Sequence, residues 1–155
     1  MKQAIEKLFV TANNFDLVDG LFSVIADKEK ATGLSSLSAP QRTILTLWHT
    51  HGIIGNGSFE YFFECGLDAE QTAQALEIIG FNQAATYLRL AVDLFPDSQP
   101  NEDYDMRQGQ LEAINKEFPT AINDLSTKYW AETEPLIETR LADFARSHRD
   151  AFDDL

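Results

Sequence analysis

The chain has 155 residues, 44% of them apolar and 11% aromatic, and carries 25 acidic against 12 basic side chains for a net charge of −13. That length suits one domain, since a single core serves about 100–200 residues, and the apolar content argues against disorder. One cysteine, Cys65, excludes an intrachain disulfide and argues against a thiolate metal cage; no apolar run approaches the ~20 residues that cross a bilayer.

Apolar spacing predicts helices nearly throughout. Ile5, Leu8, Phe9, Ala12 and Phe15 share a face, and Val18, Leu21, Phe22 and Ile25 continue it after a break near Asn13 and Asn14. Lys30 to Pro40 reads as a loop around Gly33. Ser38 with Gln41 three residues later reads as a capping box, opening a helix that presents Ile44, Leu47, Trp48 and His51. Gly52, Gly55 and Gly57 then interrupt the chain before a short aromatic helix, Phe59 to Cys65, which Gly66 ends.

Asp68 with Gln71 forms a second capping box, before Thr72, Ala75, Leu76 and Ile79; Gly80 closes that helix. Asn82 caps the next, with Ala84, Leu88, Ala91 and Phe95 on one side and Pro96 as its stop. A polar loop, Asp97 to Asp103, leads to Leu111, Ile114 and Phe118. Pro119 starts a helix bearing Ile122, Leu125 and Tyr129, and Pro135 one bearing Ile137, Leu141, Phe144 and His148. No segment alternates long enough for a strand. The expectation is an all-α single compact domain spanning 1–155, an antiparallel bundle or array of about seven to eight helices.

Charge is unevenly placed. Residues 1–58 balance, whereas residues 59–105 hold ten acids against Arg89 alone. Such a field repels nucleic acid and anionic membrane and steers basic partners inward. Glu60, Glu64, Asp68, Glu70, Asp93, Asp97, Glu102, Asp103 and Asp105 are the candidate partner-binding surface. Acid and base alternate too soon after Met1 for a secretory signal, and with one cysteine the expected compartment is the reducing cytoplasm.

The most distinctive segment is Asn56-Gly57-Ser58-Phe59-Glu60-Tyr61-Phe62-Phe63. Asn56 and Gly57 suit a turn of positive φ. Phe59, Phe62 and Phe63, at i, i+3 and i+4, form one helical stripe and read as core. The segment resembles the signature of the family called domain of unknown function 4375, in which Asn-Gly-Gly-Phe precedes a Gln and an aromatic pair. The resemblance continues through Ala75-Leu76, Ile78-Ile79-Gly80, Ala84-Ala85 and Leu94-Phe95-Pro96, with a fainter echo from Leu111 to Tyr129, over roughly residues 41–130. Ser58 stands where the second glycine is usual, and Tyr61 where the glutamine is. The resemblance implies a non-catalytic, acidic helical DNA mimic that pairs as a homodimer and occupies the DNA-binding surface of a transcription factor.

Other chemistry is less well supported by the residues. His49 and His51 point about 200° apart on a helix, so a metal-dependent enzyme centred on them and Glu60 requires the helix to end there. Cys65 has acidic surroundings, which disfavour a thiolate nucleophile. Glu60 and Glu64 lie on one helical face, yet an acid–base pair needs one of them buried. The glycine-rich run 52–57 lacks the Lys and Ser/Thr of a phosphate loop. Arg140, Arg146 and Arg149 alternate with acids and read as a solvated last helix. No cofactor is expected. An immunity or antitoxin-like partner of a basic toxin would use the same acidic surface.

Overall fold

The computed structural model describes residues 2–11 and 13–155, without the side chains of Lys2, Ala4 and Thr11. The described residues form eight α-helices and no strand, as the apolar spacing predicts. These are α1 (Lys2–Thr11), α2 (Asn14–Thr32), α3 (Ala39–Glu64), α4 (Ala69–Ile78), α5 (Asn82–Val92), α6 (Tyr104–Glu117), α7 (Ala121–Thr133) and α8 (Ile137–Ser147). Short 3-10 turns occupy Leu34–Ser36, Pro96–Ser98 and Arg149–Phe152. Packing contacts group the chain into two units, Met1–His49 with Pro135–Leu155, and Thr50–Glu134.

In the first unit α2 packs on α1 and α8. The break near Asn13 is a cap: its side chain accepts from the Asp16 N–H at 2.8 Å, satisfying one orphan donor of the first turn. Leu17, Leu21 and Ile25, one turn apart, are buried with Val18, as are Ile137, Leu141 and Ala145 of α8. Ala12 of the first expected stripe lies outside the described residues. Phe15 departs from that stripe: it is 48% exposed, edge-on to Trp48 at 5.7 Å. The expected loop from Lys30 is shorter, because α2 persists to Thr32.

The Ser38–Gln41 capping box forms in both directions. The Gln41 N–H donates to Ser38 Oγ (3.4 Å), and the Ser38 N–H donates to Gln41 Oε1 (3.2 Å). Gln41 is also fully buried, its Nε2 donating to the Ala151 carbonyl and to Asp154 Oδ1, both at 2.7 Å. One amide therefore starts α3 and anchors the 149–155 segment.

In the second unit α5 packs on both α4 and α7. The aromatic stripe is core, as its spacing predicts. Phe59, Phe62 and Phe63 are all 1% exposed or less. Phe59 meets Tyr129 edge-on at 5.0 Å, and Phe63 meets Phe95 at 4.7 Å. Each buried Phe is worth about 2–3 kcal/mol of removed apolar surface, so this cluster is a large contributor to the unit's stability. Burial also pushes the Tyr129 phenol well above its usual range. Phe118 does not join: it is 44% exposed beyond the end of α6.

The glycine run behaves differently from the expectation of an interrupted chain. Helix α3 continues through Gly52 and Gly55, and only Gly57 and Ser58 leave helical geometry. Gly55 has a packing reason, since a Cβ there would lie 2.9 Å from the Trp130 ring. The indole of Trp130 in turn stacks on His51 at 4.8 Å. Gly57 is extended (φ −164°), so its role is close approach rather than positive φ; a Cβ would sit 2.5 Å from that of Tyr61. The positive φ falls one residue later, at Ser58 (φ 66°, ψ −169°), in a region that essentially only glycine occupies. Three boundaries shift slightly: Phe81 rather than Asn82 is the cap residue of α5, α7 begins at Ala121 and α8 at Ile137.

Strain of this kind costs about 1–3 kcal/mol, partly offset in any glycine replacement by the looser unfolded chain and by loss of the 3.3 Å bond from the Glu60 N–H to Ser58 Oγ. Ser58→Gly is therefore expected to stabilise the protein by about 1 kcal/mol, raising the urea midpoint at unchanged slope. Ser58→Ala keeps the strain, loses the bond, and should destabilise. Equal losses for the two variants would contradict the strain assignment.

Candidate functional site

A groove of about 900 Å³ opens in the second unit, where α3 ends, α4 begins and the 93–102 stretch passes. Phe63, Leu67, Ala69, Val92 and Pro100 give it an apolar lining, and Asp68, Glu70, Asp93 and Glu102 contribute carboxyl-bearing side chains. Four of the nine candidate acids, distant in sequence, thus line one concavity.

The groove is shaped by Arg107, a residue the sequence does not single out. It is 6% exposed; its guanidinium lies over the Tyr104 ring at 6.0 Å and donates to backbone oxygens. Nε donates to the Phe63 carbonyl (2.6 Å) and Nη2 to that of Glu64 (3.1 Å). Nη1 donates to the carbonyls of Asn101 (2.7 Å) and Glu102 (2.9 Å). Two of these oxygens belong to the last residues of α3, where helical carbonyls lack partners and the dipole favours a cation. Gly66 permits this approach: its φ is +67°, and a Cβ there would lie 2.9 Å from Nη2.

The acids fall into distinct local roles. Asp68 caps α4 through the Gln71 N–H (2.9 Å), as its position predicts, and Asp103 caps α6 through the Met106 N–H (3.0 Å). Glu70 is gripped by Arg89 through two bonds of 3.1 and 3.0 Å, and Glu77 holds the same guanidinium. Arg89 therefore keeps both carboxyls below the usual carboxylate range, and they keep its own value high. Asp93, Asp97, Glu102 and Asp105 are exposed, as are the capping acids Asp68 and Asp103. Asp97 sits in a left-handed conformation (φ 54°), which aspartate tolerates better than most residues.

Glu60 and Glu64 lie elsewhere, in a shallow recess of about 310 Å³ with Asn56, Gly57 and Tyr61. Both are half-buried, and Glu60 accepts from Asn115 Nδ2 at 2.9 Å. Asn56 turns back to its own helix, donating to the Gly52 carbonyl at 2.8 Å. The helix does not end between the histidines: His49 is exposed while His51 stacks on Trp130. Among the described residues no group of three or more His, Cys, Asp and Glu is arranged to hold a metal ion. No described helix is long and apolar enough to cross a membrane.

Two outcomes follow from the two arginines. Arg107→Met strips donors from four carbonyls and should cost about 3 kcal/mol of unfolding free energy in urea titrations; Arg107→Lys, unable to span both segments, should recover only part. The pairs made by Glu70 and Glu77 stabilise above the carboxyls' ordinary value of 4.5. That contribution is lost as pH falls through their depressed folded values. Arg89→Leu should therefore flatten the decline in urea midpoint below about pH 4.5; an unchanged decline would mean the pairs contribute nothing.

A family model described as DMP19-like protein matches residues 35–148, reaching past both ends of the stretch that carries the resemblance seen in the sequence. Comparison with curated proteins gives no match, and comparison with solved structures gives none. The matched residues include the capping box of α3, the aromatic stripe, the groove and Arg107. The chain belongs to the DMP19-like protein family.

Proposed function

We propose that the protein is a non-catalytic binding module that imitates DNA and covers the DNA-binding surface of a basic partner such as a transcription factor. Membership of a DNA-mimic family supports the reading. The observation that carries it is the run from Asp93 to Asp105. Asp93, Asp97, Glu102, Asp103 and Asp105 are all exposed there, while the nearby cations are committed elsewhere. Arg89 is held by Glu70 and Glu77, and Arg107 is buried among carbonyls. The stretch thus presents negative charge with little local compensation.

Duplex DNA carries one charge per ~1.7 Å of axis, or ~3.4 Å along one strand. Five carboxylates within thirteen residues of chain can imitate part of one strand. Pairing of two copies would set a second row beside the first. The protein would act in the cytoplasm, where its partner meets DNA.

Affinity capture from native lysate, followed by competition with duplex DNA, tests the reading. A basic DNA-binding protein should be retained, should be released by duplex, and should bind about tenfold or more weakly when salt rises from about 50 to about 200 mM. Neutralising Asp93, Asp97, Glu102, Asp103 and Asp105 together to Asn or Gln should weaken capture about tenfold or more. Binding indifferent to salt or to that replacement would sink the proposal. Retention of a basic toxin that duplex fails to displace would favour an immunity role instead.

A further inference from the structure

We infer that the groove at the end of α3 receives a short basic segment of the partner, in which arginine or lysine adjoins an apolar residue. The inference rests on the mimic reading above and specifies which part of the partner enters the concavity. A phosphate-like row is a surface feature and needs no cleft. This groove is a cleft of about 900 Å³, within the ~300–1,000 Å³ of sites that enclose a ligand.

Its lining selects the occupant. Asp68 and Glu70 stand at the start of α4, and Asp93 and Glu102 come from the 93–102 stretch, so acids enter from separate parts of the chain. The cations present are already engaged. Arg107 gives its donors to four carbonyls, and Arg89 is forked onto Glu70. Glu70 is thereby taken as well, which leaves the exposed carboxylates of Asp68, Asp93 and Glu102 to meet an incoming arginine or lysine. Leu67, Val92 and Pro100, all half-buried, supply apolar surface in the same lining. A small inorganic cation would leave that apolar surface uncovered. An arginine or lysine stem, with an apolar neighbour, covers it while its head reaches a carboxylate.

The segment is short on grounds of size: a helix with side chains is about 10–12 Å across and would fill the volume within about two turns, so only a few residues enter. Arg107 also fixes the groove before binding, since it ties the end of α3 to residues 101 and 102. A preformed site spends less of its binding energy on ordering itself.

The test uses the full chain and two fluorescein-labelled hexapeptides, one alternating arginine with leucine and the other arginine with glycine, read by anisotropy. The leucine peptide should bind about tenfold more tightly. Two uncharged blocking changes on the groove wall, Ala69→Phe and Gln99→Trp, should each cut its affinity about tenfold with unaltered circular dichroism. The pair Asp97→Asn with Asp105→Asn, outside the lining, should weaken both peptides slightly and equally. Equal affinities for the two peptides, or binding indifferent to both blocking changes, overturns the groove assignment. If the blocked variants still capture a duplex-displaceable basic protein, the mimic reading stands without the groove. If duplex displaces nothing from the unblocked chain, both fall.

Discussion

A guanidinium buried beside the most acidic stretch of an acidic protein has carboxylates close by in sequence to pair with. Arg107 takes backbone carbonyls instead, four of them, from the end of α3 and from residues 101 and 102. The choice has electrostatic consequences. Carbonyl dipoles at a helix C-terminus satisfy the cation without consuming any side-chain negative charge. Glu102, whose carbonyl is bound, is left with its carboxylate exposed. The chain thereby secures its fold with a positive charge while leaving its outward carboxylates unneutralised.

The remaining acids divide between local structural tasks and outward display, and the division follows the chain's geometry. Carboxylates just before α4 and α6 meet orphan N–H groups and act as caps, which keeps their charge while adding about 1 kcal/mol of helix stability each. Glu70 and Glu77 share Arg89 across the α4–α5 hairpin. Exposed pairs of this sort are weak, so the hairpin depends chiefly on the apolar contacts of Thr72, Ala73, Leu76, Ala84, Ala85 and Leu88, all buried. Display of charge is possible because apolar packing, not ion pairing, holds these helices together.

Much of this was legible in sequence because it depends on local rules. The Asp68 cap, the Ser38–Gln41 box and the Phe59–Phe62–Phe63 stripe are set by spacing within one turn, and each forms as the spacing predicts. What escaped depends on distant residues. Each glycine inside a helix costs about 1 kcal/mol relative to alanine, so Gly52 and Gly55 look like breaks; the Trp130 ring over Gly55, brought by a helix 75 residues away, supplies the missing reason. Arg107 carries no mark in the sequence, since nothing near it along the chain points to the α3 end it binds. Ser58 was visible as a departure from the family pattern, but not as the residue that bears the unusual backbone angle. The clustering of the candidate acids between residues 59 and 105 is a property of the sequence, while their sorting into a groove, two caps, an ion-paired hairpin and a separate recess requires the fold.

The Arg89 bridge and the buried Arg107 respond to ionic strength to different degrees. Exposed pairs and attraction across an interface are screened beyond about 8 Å at physiological salt, whereas bonds inside a water-excluded site are scarcely affected. Raising salt would therefore weaken the exposed Glu70–Arg89–Glu77 bridge long before it disturbed the end of α3 or the aromatic core. Salt that weakens charge display on the surface would leave the fold beneath it intact.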